Sequence, residues 1–562
     1  MFGHQQAADL LKILILGGYG VFGGRLVELL SDLSELTLLI CGRSEKKAAA
    51  YCRSVSSKAM LVPVGLDRGD VANALDNFTP DLVVDASGPF QKYHGDTYGV
   101  VKACISARTH YLDFSDSADF VFGVSQFDAA AKAAGVAVLS GVSSFPVLTA
   151  AVLRELSSDM TVTTVKGGIA PSPYAGIGLN VMRAVVSYAG GPVKLVREGR
   201  YAQARGLCET MRYTVAPPGR LLLRSTHFSL VDVPDLRVLP AEFPSITDIW
   251  MGAGPVPEIL HRMLNILARM RARFGLPSLE PLSPLFYRVL NLMKFGDHRG
   301  GMFVHVEGVK DGRTCEKSWH LLAEGDDGPY IPSMAVEAIV RKWVKGETPA
   351  PGARPATKAL ELSDYDALFQ GRDITWGIRT STEDSQSLYQ KILGDAFNML
   401  PPQIQALHRE RDARIWGGEA EVEGGENLIS RLVATLFGFP RKAGHANVKV
   451  EFCPDETGEM WERNFNGKIF RSYQTAGTGK YAHLLTERFG AVTVGLALVI
   501  KNDELHLVPR RWTLLGFPLP IFLLPNGASF ECEQDGVFNF NVTIKAPLIG
   551  RVVAYRGWLK PV

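Results

Sequence analysis

No two of the seven cysteines (41, 52, 104, 208, 315, 453 and 532) stand in C-x-x-C spacing, and their number is odd. That argues against both a structural zinc site and a disulfide framework, so a reducing cytoplasm is the expected setting. A strong charge of either sign is also lacking. A net charge of +2 on 562 residues gives no global attraction for nucleic acid, and any electrostatic recognition must be local. Long apolar runs are missing too. Leu10–Leu16 is too short to span a bilayer and runs straight into glycines, with no cleavage site. Leu514–Leu524 is broken by Pro518 and Pro520. No targeting signal, internal repeat or low-complexity tract is visible.

The chain is too long for a single hydrophobic core, and two to four domains are expected. From residue 11 to about 140, short apolar runs alternate with amphipathic segments, which predicts a parallel sheet flanked by helices. Strands are expected at Lys12–Leu16, Leu36–Cys41, Ala59–Val64, Leu82–Ala86, His110–Asp113 and Val136–Ser140. Helices fit Gly24–Ser31, Glu45–Arg53, Gly69–Phe78, Gly95–Ala107 and Ser125–Ala134. From about 145 to 330, frequent turn signals and extended stretches such as Met302–Glu307 and Lys317–Ala323 predict an antiparallel sheet. Within this region, Ile259–Gly296 carries apolar residues at helical spacing among several arginines. That suits a flap over a hydrophobic ligand, peripheral contact with an anionic membrane surface, or an ordinary helix packed on the core. Gly346–Pro355 reads as a surface linker or turn. Beyond 385, a helix at Ser387–Met399 leads into a mostly antiparallel region, with hairpin turns at Asn502-Asp503 and Asp535-Gly536.

Gly18-x-Gly20-x-x-Gly23 stands directly between the first strand and the first helix. Its glycines permit a tight turn, backbone approach to a pyrophosphate and close packing of helix on strand, with Tyr19, Val21 and Phe22 completing the loop. Proteins that take NAD place an acid about twenty residues on, to hold the ribose 2′-OH. Here that position falls near Cys41, followed by Gly42-Arg43-Ser44-Glu45-Lys46. Arg43, with Ser44 and Lys46, offers cationic and hydroxyl partners to a 2′-phosphate, which predicts NADP. The fourth strand ends Ala86-Ser87-Gly88-Pro89-Phe90, small residues against which the nicotinamide half of a cofactor can lie.

These motifs, with Tyr111-Leu-Asp-Phe-Ser-Asp116, Ser140-Gly-Val-Ser-Ser-Phe-Pro146, Trp319-His-Leu-Leu-Ala323 and Gly328-Pro-Tyr-Ile-Pro332, resemble the saccharopine dehydrogenase-like oxidoreductases over roughly residues 10–365. The resemblance implies an α/β Rossmann domain at 10–140 and an inserted α+β substrate or dimerisation-type domain with an antiparallel sheet at 141–328. It also implies a return to the Rossmann domain at 329–365. A linker at 366–385 and a β-rich C-terminal domain at 386–562 complete the expected order. Met460-Trp-Glu-Arg-Asn-Phe465, Thr486-Glu-Arg-Phe-Gly490 and Leu515-Gly-Phe-Pro-Leu-Pro520 resemble an uncharacterised bacterial domain, which brings no function with it.

The expected activity is NADP-dependent hydride transfer to or from a C=N, C=C or C=O bond of a small or lipid-like molecule, with a homodimer as one possible assembly. The alternative is a non-enzymatic NADP-binding scaffold or membrane-associated protein. Candidate catalytic groups are Tyr93, the preferred acid, with Asp113 and Asp116 at the end of the fifth strand. A helix-capping role competes for one of the two aspartates. Arg183, Arg212 and Arg299 could meet substrate carboxylates, but none sits in a motif that says so. Ala476-Gly-Thr-Gly-Lys480 lacks the leading glycine and the Ser or Thr of a phosphate-binding loop, and no H-E-x-x-H metal motif occurs.

Overall fold

The computed structural model describes residues 10–91, 95–176, 178–255, 257–293, 296–381 and 386–562. Six parallel strands follow the apolar runs: β1 (Leu11–Leu16), β2 (Leu36–Gly42), β3 (Met60–Gly65), β4 (Leu82–Asp85), β5 (His110–Asp113) and β6 (Ala137–Ser140), ordered β6-β5-β4-β1-β2-β3. β1 and β2 are apolar almost end to end and mostly buried, as parallel strands covered on both faces must be. The intervening helices are α1 (Val21–Leu30), α2 (Glu45–Ser54), α3 (Val71–Phe78), α4 (Gly99–Ser106), α5 (Ala118–Gly123) and α6 (Asp128–Ala134). α1 starts three residues before the expected Gly24. Gly20 takes the N-cap position without a side-chain cap, so Gly23 lies in the first turn of the helix.

α7 (Thr149–Leu156) leads into a second, largely antiparallel sheet. The chain runs through β7 (Thr161–Ala170), α8 (Leu179–Tyr188), the hairpin β8 (Pro192–Arg197) and β9 (Arg200–Arg205), then β10 (Thr210–Tyr213) and β11 (Thr226–Leu230). α9 (Asp235–Glu242), β12 (Asp248–Ala253), α10 (Glu258–Phe274), α11 (Ser283–Leu292), β13 (Gly300–Lys310) and β14 (Arg313–Ala323) follow. Pairing is antiparallel at β11–β12 and β7–β13 but parallel at β7–β12.

α12 (Ile331–Val344) then packs on α1, with the Ser333 hydroxyl donating to the Phe22 carbonyl at 3.2 Å. The segment expected to be a surface turn, Gly346–Pro355, instead supplies β15 (Gly352–Pro355), which pairs parallel with β6 and buries Ala353. Its proline-rich composition misleads because an edge strand tolerates proline where its N–H faces away from the sheet. Residues 366–385, read as a linker, hold the end of α13 (Leu362–Phe369) and β16 (Ile374–Thr380). β16 closes the second sheet in the order β10-β11-β12-β7-β13-β14-β16.

The chain divides into two compact units, and the second comprises Arg212–Thr226, Trp319–Leu322 and Trp376–Val562. The predicted helix at Ser387–Met399 is a short α14 (Leu388–Leu393) followed by a 3-10 segment, and then α15 (Pro402–Arg409). Antiparallel strands follow: β17 (Arg414–Glu423), β18 (Gly444–Pro454), β19 (Gly458–Phe465), β20 (Lys468–Ala476), β21 (Leu485–Phe489), β22 (Val492–Lys501) and β23 (Glu504–Leu514). α16 (Leu428–Leu436) lies between β17 and β18. After the short β24 (Phe517–Pro518) come β25 (Ser529–Gln534), β26 (Val537–Ala546) and β27 (Gly550–Pro561). The order β22-β21-β20-β19-β18-β17-β27-β26-β25-β23, with β22 pairing back onto β23, closes a ten-stranded barrel; β24 attaches outside it. Along β18 buried and exposed residues alternate, the period-2 signature of a wall with one wet face. Both predicted hairpin turns are present. Asn502 and Asp503 have φ of 52° and 61°, and Asp535 and Gly536 have 51° and 70°, as a type I′ turn requires. No described helix is long and apolar enough to cross a membrane.

Candidate cofactor and active site

The loop from β1 to α1 is shaped by contacts that only glycine allows. A Cβ on Gly23 would fall 2.3 Å from the Gly17 carbonyl oxygen, and one on Gly20 2.9 Å from the same atom. Gly18 is pressed against Ile15 and Ile40, each 3.0 Å from its would-be Cβ. The turn therefore draws the start of α1 tight against the strand, and the Gly20 cap places no side chain over the first-turn N–H groups. A helix start of this kind suits a pyrophosphate, and these residues fit a dinucleotide.

At the end of β2, the Tyr19 ring lies against Gly42, where any Cβ would approach it to 2.4 Å. The Tyr19 hydroxyl accepts from the Ser44 backbone N–H at 3.2 Å. Ser44 is the N-cap of α2, accepting from the Lys47 N–H. Arg43 and Lys46 are exposed. Cys41 is wholly buried, and burial pushes its thiol up to about 12. The position read as the ribose site thus points into the core, and Arg43 is the exposed group at the strand end.

Ala86, Ser87, Gly88 and Pro89 form a half-buried strip after β4, and Phe90 is buried against Phe120. Asp85, fully buried, accepts from the Ser87 N–H at 3.0 Å and from its hydroxyl at 2.5 Å, and pairs with Arg68 at 2.9 Å. The Ser87 hydroxyl is therefore directed inward, holding the strip in place. The second module reaches this strip as well. The Asn180 side-chain amide donates to the Gly88 carbonyl at 2.9 Å, Arg25 donates to the Ala175 carbonyl at 2.9 Å, and Gly178 packs on Val21. The start of α8 thus lies over both halves of the cofactor loop system.

The candidate acids divide by environment. Asp113 is fully buried, and one of its oxygens accepts from the Gly141 N–H at 2.8 Å and the Ser115 N–H at 2.9 Å. It braces the crossover out of β6. Burial holds its carboxyl near 7 against the two amides, which favour the charged form. Asp116 is half-buried and accepts from Gln91 at 2.8 Å. Burial raises it too, with Gln91 opposing. Asp116 and Asp232 interact electrostatically, and both act on Tyr188. Burial, then Asp119 and Asp116, pushes Asp232 up to about 6, while burial lifts Tyr188 well above its ordinary range. Tyr93 lies outside the described residues. Asn180, Tyr188 and Asp232 were missed by sequence reasoning, because no motif marks them and only the fold brings them near the strip. Asp85, which ends the apolar run Leu82–Asp85, carried a legible signal.

Comparison with known proteins follows these boundaries. Residues 13–139 match the saccharopine dehydrogenase NADP binding domain, and residues 400–559 match a domain of unknown function, DUF4166. No curated protein matches the chain. Similar solved structures include myo-inositol dehydrogenase from Lactobacillus casei in complex with NAD(H) and myo-inositol, at 10% identity over 65% of this chain and 96% of that one, with a TM-score of 0.31. An oxidoreductase from Agrobacterium radiobacter in complex with NAD+, L-tartaric acid and magnesium gives 12%, 65%, 98% and 0.29. The WlbA (WbpB) dehydrogenase from Thermus thermophilus, in complex with NAD and alpha-ketoglutarate, gives 10%, 60%, 89% and 0.29. Residues 13–139 are an NAD(P)-binding Rossmann domain of the saccharopine dehydrogenase type, and residues 400–559 are a DUF4166 domain.

Proposed function

We propose that the protein is an NADP-dependent oxidoreductase acting on a C=N, C=C or C=O bond of a small or lipid-like molecule. The observation that carries this reading is the glycine cradle together with the end of β2, where Arg43 is exposed and Cys41 is turned into the core. Gly18, Gly20 and Gly23 would receive the pyrophosphate, and Arg43 the 2′-phosphate, with Lys46 beside it. The strip Ala86–Phe90 would carry the nicotinamide half. The bound cofactor supplies hydride at its nicotinamide ring. The chain's own part is to exclude water with the start of α8 and to hold a proton. Asp116, raised by burial and held by Gln91, is the group assigned to that proton, with Asp232 near it. Asp113 is assigned a positioning role.

Contact with a lipid surface belongs to the same reading. α10 is inverted relative to a core-packed helix. Its buried positions are His261, Asn265 and Ala268, while Ile259, Met263, Ile266, Met270 and Phe274 are 62, 55, 55, 42 and 70% exposed. The inward polar side is bonded in part: His261 Nε2 bonds the Ser229 hydroxyl at 2.5 Å and Asn265 donates to the Leu207 carbonyl at 2.9 Å, while His261 Nδ1 is buried without a partner among the described residues. An outward apolar stripe flanked by arginines suits the interface of an anionic bilayer. The test of the oxidoreductase reading is fluorescence titration of the purified protein with NADPH and NADH. Saturable binding with NADPH favoured supports it, and no binding of either nucleotide overturns it.

A further inference from the structure

The barrel encloses a cavity of about 450 Å³. A closed barrel of eight strands is just wide enough for its own side chains to fill, and ten strands leave room inside. Apolar and aromatic side chains such as Phe452, Phe465, Val494, Leu496, Phe538 and Phe540 make up most of the lining. That volume and lining suit one elongated apolar molecule.

Among the polar side chains in the lining, Tyr389, Arg463, Gln474 and Glu487 form one network, in which the charges of Arg463 and Glu487 balance. Arg463 donates to Glu487 at 3.1 Å and to the Ser472 hydroxyl at 2.8 Å. Ser472 donates to Glu487 at 2.6 Å, and the Gln474 amide also donates to Glu487, at 3.2 Å; Tyr389 in turn donates to the Gln474 carbonyl oxygen at 3.2 Å. Every donor to Glu487 falls on Oε1, and among the described residues Oε2 accepts none. Beside this network, His408 pairs with Glu531 at 2.6 Å. A carboxylate ligand would find Arg463 already matched by Glu487 and would meet that carboxylate's open oxygen. A hydroxyl would donate to it.

Part of the cavity wall is built from elements with apolar residues on both faces. Val433 and Phe437 line the cavity, while Leu428, Leu432 and Leu436 of α16 are 82, 70 and 81% exposed. In the adjoining turn, Pro547 and Ile549 line the cavity and Leu548 is 97% exposed. Asn427 ties helix to turn through the Ile549 carbonyl at 2.6 Å. An apolar molecule leaving a lipid phase would meet these exposed leucines there, beside Asn427, Arg431 and the Arg551–Glu426 pair.

We propose that the C-terminal barrel binds a long apolar alcohol, chain in the cavity and hydroxyl on Glu487. The test uses the full-length protein with all-trans-retinol and all-trans-retinoic acid as probes, which share a chain and differ at the polar end. Saturable retinol binding at one site is expected, with retinoic acid at least tenfold weaker. Val494→Trp, which fills the cavity, should abolish retinol binding while NADPH titration is unchanged. Glu487→Gln, close in shape but uncharged, should narrow the difference between the probes to under threefold. Absence of retinol binding, equal affinity for the two probes, a correctly folded Val494→Trp that keeps full retinol affinity, or a Glu487→Gln that keeps the tenfold preference would each overturn the proposal. NADPH titration reads the separate Rossmann site, so failure here is distinguishable from failure of the oxidoreductase reading.

Discussion

The side-chain amide of Asn180 donates to the backbone carbonyl of Gly88 at 2.9 Å, joining the first residues of α8 to the strip that follows β4. A hydrogen bond of this kind contributes about 1 kcal/mol, and its loss frees the roof of the proposed site. Asn180→Ala should raise the Kd for NADPH about three- to tenfold with thermal stability nearly unchanged. An unchanged Kd in titration would show that α8 takes no part in holding the cofactor.

Gly23 offers the sharpest steric test of the cradle. A methyl group there would sit 2.3 Å from the Gly17 carbonyl oxygen, which is backbone and cannot swing away. Gly23→Ala should cost on the order of 1–3 kcal/mol, as overpacking does, and lower nucleotide affinity by more than tenfold. Differential scanning fluorimetry with and without NADPH reads both effects at once.

Burial sets a pH dependence through Asp113. Its folded-state carboxyl is raised to about 7, above the ordinary aspartate value, chiefly by desolvation. Between those values the folded chain holds a proton that the unfolded chain has lost, so its stability contribution is present at low pH and is lost as pH rises through 7. Asp113→Asn keeps an oxygen to accept from Gly141 and Ser115 but cannot ionise. The variant should gain on wild type as pH rises from 5 to 8, by on the order of 1 kcal/mol. Urea denaturation at the two pH values checks this, and a constant difference would contradict it.

The outward stripe of α10 predicts surface behaviour. Met263→Glu with Ile266→Glu places charge on residues that are each 55% exposed, so folding should be almost unaffected. Flotation with anionic vesicles should show wild type bound and the double variant free, both with the same melting temperature. If wild type stays in solution and the double variant instead changes oligomeric state, the stripe is an interface between copies and the lipid reading fails.

Much of the Rossmann domain is legible in sequence because its strands are apolar on both faces and its turn needs glycine at fixed steps. The place of Arg43, though not its role, is legible for the same reason: it follows the second strand directly. Pairing information is what one-dimensional patterns lack. β15 reads as a turn because its proline and glycine outweigh its neighbours, until the open edge of β6 accepts it. The alternation along β18 announces a strand but not that β22 will meet β23 and close a barrel around a cavity. In α10 the helical period was visible, but a period does not say which face turns inward. Asn180 lies 92 residues beyond Gly88, and Tyr188 and Asp232 lie 72 and 116 beyond Asp116, so only packing assembles them.

Cofactor preference is read from the ratio of NADPH to NADH affinity in wild type and in Arg43→Ala. A guanidinium on a phosphate contributes about 1.5–3 kcal/mol, which is roughly 10- to 100-fold in Kd. Arg43→Ala should weaken NADPH by that factor, leave NADH within about threefold, and so remove most of the preference. Tight NADPH binding that survives Arg43→Ala unchanged would contradict the 2′-phosphate assignment.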